Sequence, residues 1–221
     1  MANTAIRPRT QAAAEPLALL LWVGINSLSL FLSASRWNLW PGAPKPLEST
    51  AAWQLLVVDA ISLAVFCPLL LSNGRRAVLI ALSTAPFLEI AGFLAGVSMR
   101  HLAAAYAVLA IWLATLFVWQ NAMPGRRGRM LVVAAAGVWT IGPALLGYLH
   151  EEFFLAGVAT SGGRLIAWSV LSMLVSPLDG EAPNIFAITM LGSFLIAGAA
   201  LAWVGYRRRR GHGEAVGTVV G

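Results

Sequence analysis

Long uninterrupted apolar runs, separated by short basic or proline-rich breaks, dominate the chain. Six stand out, at residues 17–34, 51–72, 77–97, 102–120, 130–149 and 185–206. Each approximates the 20 or so residues that a helix needs to cross a hydrocarbon core of roughly 30 Å. The period-two alternation in segments of about 10 residues that marks a membrane β-barrel is absent. The breaks carry stop signals: Pro41, Pro44 and Pro46 after the first run, Asn73-Gly74-Arg75-Arg76 after the second, and Pro124-Gly125-Arg126-Arg127-Gly128-Arg129 after the fourth. The pattern predicts an all-α, polytopic integral membrane helical bundle of six transmembrane helices. It forms a single transmembrane domain over residues 1–210, followed by a disordered tail over 211–221.

A further stretch, 153–176, is apolar at both ends but broken by Thr160-Ser161-Gly162-Gly163-Arg164. Positive charge decides whether it crosses, because arginine and lysine accumulate on the cytoplasmic side. With the N-terminus inside and six spans, the inner face collects Arg7, Arg9, Arg75, Arg76, Arg126, Arg127, Arg129 and Arg207 to Arg210, and the outer face keeps only Arg36, Lys45, Arg100 and Arg164. A seventh crossing would carry Arg207 to Arg210 outside. The stretch 153–176 is therefore expected to re-enter from the outer face, with both termini cytoplasmic. A glycine break at membrane depth requires shielding by protein or a water-filled cavity.

Composition agrees with the pattern. Of 221 residues, 59% are hydrophobic and 11% are charged, against about a quarter charged in soluble domains. The net charge of +6 resides in arginine clusters beside apolar runs, without the interleaved stacking aromatics of a nucleic-acid surface. It reads as a topology signal with contacts to anionic lipid, and no nucleic-acid partner is expected. The single cysteine, Cys67, lies within an apolar run and excludes a disulfide framework. No A-x-A-like site follows the first run, which points to an uncleaved first span. Localisation is expected in the bacterial cytoplasmic (inner) membrane.

Catalytic motifs are nearly absent. The one lysine, Lys45, sits between prolines, so the chain has no GxxxxGK[ST] phosphate loop, and no GxSxG elbow occurs. His150-Glu151-Glu152 lacks the following arginine and membrane histidines of an intramembrane Glu-Glu protease. No cofactor, metal or catalytic residue is expected. The informative polar residues are Asp59 and Glu89, lone carboxylates inside apolar runs, where an ion costs a few kcal/mol by insertion scales. Each is eight residues from the outer end of its run, about 12 Å deep in antiparallel neighbours. That depth suits a shared proton or a bound cation, and equally a hydrogen bond to a neighbour such as Ser62 or Thr84. His101, His150, Glu151 and Glu152 form a candidate outer-face polar cluster. Arg75, Arg76, Arg126, Arg127 and Arg129 are candidate inner-face partner contacts. Gly92 and Gly96 suggest a close helix contact, and the tryptophans read as interfacial anchors.

The organisation resembles the membrane subunit of an ABC-2-type transporter. Three features carry this: six spans with both termini inside, an outer re-entrant segment before the last span ending in Ser176-Pro177-Leu178, and the stretch Leu82-Ser83-Thr84-Ala85-Pro86-Phe87-Leu88-Glu89-Ile90, which is similar to the family's inner coupling region. The resemblance implies a permease working as a homo- or heterodimer and driven by a separate ATPase subunit. It places Glu89 at the inner surface, whereas the apolar pattern places it inside the third span. Two rival expectations remain: a non-catalytic structural subunit of a larger multi-subunit membrane complex, and a small ion- or proton-coupled carrier using Asp59 and Glu89.

Overall fold

The computed structural model describes residues 8–39, 50–123, 125–154, 169–178 and 185–217. Among the described residues every regular element is a helix: α1 (Pro8–Leu39), α2 (Thr50–Leu70), α3 (Gly74–Ala95), α4 (Met99–Ala122), α5 (Arg126–Phe154), a short α6 (Val170–Val175) and α7 (Ile185–Gly217). Five contain windows long and apolar enough to cross a membrane: Pro16–Ser33, Ala51–Leu70, Gly74–Ala95, Met99–Ala122 and Ile188–Tyr206. Large apolar side chains point outward along the helices, with Phe93 87%, Ile196 71% and Val138 70% exposed. Asn26, Ser29, Asp59, Thr84 and Thr115 are buried inside. That inversion of the soluble pattern places the surface in lipid, and the protein is a multi-pass membrane protein.

Local signals set the central hairpins. Asn73 caps α3, its side chain accepting the Arg76 backbone N–H at 2.8 Å. Gly96, at φ 66°, ends the same helix in the left-handed conformation. Val97 N–H bonds to Gly92 O at 3.0 Å and Gly96 N–H to Phe93 O at 3.2 Å, the paired closure of a Schellman turn. Ser98 then starts α4, accepting from the His101 N–H. The expected glycine pair thus divides its roles. Gly96 turns the chain, while Gly92 lets α4 approach: a Cβ there would lie 2.1 Å from Leu102 Cδ1.

α2 is the central helix, touching α1, α3, α4, α5 and α6. α7 lies at the periphery on α4. There the Trp119 indole N–H donates to Phe194 O at 3.0 Å, and Gly198 leaves room for the same indole. The short α6 is buried against α2, α4 and α5, with Val170, Met173 and Leu174 at the core.

The helices outrun the predicted spans at the ends. α1 begins at Pro8, proline being suited to a first helical turn. α5 continues through Glu151 to Phe154. α7 runs on through Gly217, past the point where the apolar pattern ends the span and starts a disordered tail. Hydrocarbon thickness limits the apolar run, not the helix. Of the expected re-entrant stretch 153–176, residues 155–168 lie outside the described residues.

The tryptophans divide as well. Trp53 and Trp203 are exposed near the ends of apolar windows, as interfacial anchors are. Trp22 and Trp112 are instead fully buried. Trp112 meets Trp139 edge-on at 5.6 Å, and Trp139 meets Phe194 at 4.9 Å.

Candidate functional site

Near the middle of α2 the only acid of that helix, Asp59, is 0% exposed. Its environment is set by α1, on which Trp22, Asn26 and Ser29 recur at spacings of four and three. They share one face of the helix, and all three are buried. The Asn26 amide donates to Trp22 O at 3.0 Å and also faces the Asp59 carboxyl. The approach of the Asn26 amide to Asp59 falls short of hydrogen-bond geometry. Both Asp59 oxygens, Asn26 Oδ1 and Ser29 Oγ are buried without a partner. Among the described residues these four oxygens on α1 and α2 therefore lack hydrogen-bond partners, and an orphaned buried polar group costs about 1–3 kcal/mol.

Thr84 on α3 belongs to the wall of this seam but does not relieve Asp59. Its hydroxyl donates to Ile80 O at 2.9 Å and accepts the Trp22 indole N–H at 3.1 Å. The tryptophan is thereby latched across α1 and α3, one helical turn before Asn26.

Glu89 does not join Asp59. Thr84 and Leu88 face the bundle, and Glu89 is one residue, or about 100°, further round the helix. Its side chain is exposed in a cavity of about 250 Å³ between α3 and α4, beside Met99, Leu102 and Tyr106. Asp59 lies eleven residues before the end of α2 and Glu89 fifteen after the start of α3. In this antiparallel hairpin that sets Glu89 about 6 Å further along the bundle axis. The stretch Leu82 to Ile90 lies inside the apolar window of α3, Gly74–Ala95.

Of the arginines expected at a partner surface, Arg75, Arg126, Arg127 and Arg129 are exposed. Arg76 is turned inward, 6% exposed, and donates to Leu69 O at 3.3 Å, tying down the end of α2. His101 occupies the first turn of α4 and is half-buried. His150, Glu151 and Glu152 form the last turns of α5, and their side chains lie outside the described residues. Among the described residues no group of three or more His, Cys, Asp or Glu gathers to hold a metal. Cys67 is buried with Gln120 Nε2 on its sulfur, a contact between α2 and α4.

Asn26, Ser29 and Trp22 were not singled out from sequence, although their spacing of one helical face was available. No family model matches the chain, and neither a curated protein nor a solved structure is significantly similar to it.

Proposed function

We propose that this protein is a membrane transport protein in which Asp59 takes up and releases a proton or small monovalent cation. One observation carries the proposal: a carboxyl group at mid-span, wholly buried, faces Asn26 and has no hydrogen-bond partner among the described residues. A proton on Asp59 converts an acceptor into a donor and removes the ion from an apolar site. A desolvated alkali cation instead has a ready set of hard oxygens in Asp59, Asn26 Oδ1 and Ser29 Oγ. A purely structural role leaves the orphaned acceptors unexplained.

The architecture proposed with it has six spans, α5 completing the five, with both termini cytoplasmic, in a bacterial inner membrane. Residues 153–176 re-enter from the outer face in this proposal. The buried α6, entering the core directly before α7, supports that order.

In proteoliposomes under an imposed potassium diffusion potential, an internal pH dye is expected to report flux with the wild type and none with Asp59→Asn. Glu89→Gln is expected to behave as wild type. Replacing the external buffer with sodium separates the two ions, since a cation site shows sodium-dependent flux at constant pH. Dicyclohexylcarbodiimide, which attacks protonated carboxyls in apolar surroundings, is expected to modify Asp59. Wild-type flux no greater than that of empty liposomes, with no modification of Asp59, would overturn the proposal.

The buried α6 before the last span also favours a second reading, a permease subunit of ABC-2 type driven by an ATPase in trans. That reading predicts an ATPase that co-purifies with the chain and accelerates in its presence. Co-purification with large redox subunits and no ATPase would instead indicate the structural-subunit role.

A further inference from the structure

At the end of the bundle where α2 finishes and α5 begins, a cavity of about 620 Å³ opens between the two helices. Arg126 and Arg129 form its rim, and Pro68, Met130, Val133 and Ala134 form its wall. Both arginine side chains are exposed, and neither bonds or pairs with another described residue. The volume equals that of roughly 20 water molecules, ample for a phosphate and glycerol with the first part of a chain.

The order of the lining residues along α5 is informative. Arg126 and Arg129 are three apart on one face. Met130, Val133 and Ala134 continue that face one turn deeper. Charge therefore stands at the level where the apolar run of α5 begins, and an apolar trough continues from it along the outer face of α5. Pro68 closes the other side two residues before α2 ends. The height of the arginines is fixed by the preceding turn. Gly125 has φ 97°, which only glycine adopts readily, and a Cβ on Gly128 would lie 2.6 Å from Met123 O.

We propose that this cavity is a binding site for an anionic phospholipid, with Arg126 and Arg129 on the phosphate and the α5 trough under the upper acyl chain. A soluble anion has use for the rim but not for the trough, and a zwitterionic lipid has less use for two exposed guanidinium groups. The inference needs only the membrane setting. It is independent of the chemistry at Asp59, so a failure of one leaves the other standing.

The test uses the full-length protein, delipidated in a neutral detergent and titrated with dioleoylphosphatidylglycerol, dioleoylphosphatidylcholine or inorganic phosphate, with bound lipid counted by native mass spectrometry. Phosphatidylglycerol is expected to bind at least ten times more tightly than phosphatidylcholine, at about 1 kcal/mol per arginine near the surface. Arg126→Gln with Arg129→Gln is expected to weaken it by roughly 30-fold on the same basis. Arg75→Gln, outside the cavity, is expected to change nothing. Ala134→Trp fills the trough and leaves both charges, and is also expected to lose phosphatidylglycerol. Equal affinity for the two lipids, or full binding by the double glutamine variant, would refute the site. Phosphatidylglycerol binding that survives Ala134→Trp and yields to millimolar phosphate would reduce the site to a free-anion cradle and equally overturn the assignment.

Discussion

A buried carboxyl that no neighbour satisfies is a liability for folding, and that liability separates a structural from a functional Asp59. Replacing an unpartnered buried polar group by an apolar one of similar size is commonly neutral or stabilising. Asp59→Leu is therefore expected to raise stability by about 1 kcal/mol or more, roughly 2–4 °C in Tm for a chain of this size, while abolishing ion flux. Thermal unfolding in detergent measures the first effect and the proteoliposome assay the second. A fall in Tm would assign Asp59 to holding α1 and α2 together. The latch beside it has the opposite character, because both of its partners are committed. Trp22→Phe and Thr84→Val, each alone and together, are expected to show a coupling of about 0.6–1 kcal/mol. A coupling indistinguishable from zero would mean that the 3.1 Å contact contributes nothing to the α1–α3 interface.

Among the elements, α2, α3 and α4 were legible to within a few residues because their stops are written locally. Asn73 and Ser98 cap, Gly96 turns, and the apolar runs fill the space between them. α1 and α7 were less so, since arginine supports a helix in water as well as leucine does in lipid. The candidate site was half legible. A lone acid in an apolar run flags Asp59, and depth made Glu89 its apparent companion. Depth does not fix rotation, however, and one residue past Leu88 is enough to aim Glu89 away from α2. The companion that the fold supplies, Asn26, is an uncharged residue in a helix without acids over its apolar length, so charge offered no signal for it. Helix contacts also had a sequence trace in the glycines, though position alone did not say which ones matter. Gly198 meets Trp119 Nε1 at 2.9 Å from its notional Cβ, while Gly205 on the same helix meets nothing within 4 Å. Gly198→Leu is expected to lower stability by about 1–3 kcal/mol through overpacking and loss of the Trp119 hydrogen bond, and Gly205→Leu is expected to be neutral. Equal effects at the two positions would show that α7 is held to the bundle by something other than its seat on α4.

The whole molecule carries its polarity in its turns. The α2–α3 turn and the start of α5 are rich in arginine, whereas the α3–α4 turn holds Arg100 alone. Because α2, α3 and α4 are consecutive hairpins of membrane-crossing length, the two kinds of turn lie at opposite ends of the bundle. In the proposed topology the arginine-rich end faces the cytoplasm, as the charge bias favours. Cys67→Ala removes the one native cysteine and gives a background for single reporter cysteines. Asn73→Cys and Gly213→Cys are expected to stay unlabelled by a membrane-impermeant maleimide in intact cells and to react after permeabilisation. Ser98→Cys is expected to react in both conditions. The informative position is 213. An even number of crossings returns it to the side of residue 73, whereas an extra crossing by residues 153–176 would expose it outside. Labelling of residue 213 in intact cells, with residue 73 still protected, would leave the α1–α4 arrangement intact. It would remove both the re-entrant segment and the basis of the permease resemblance.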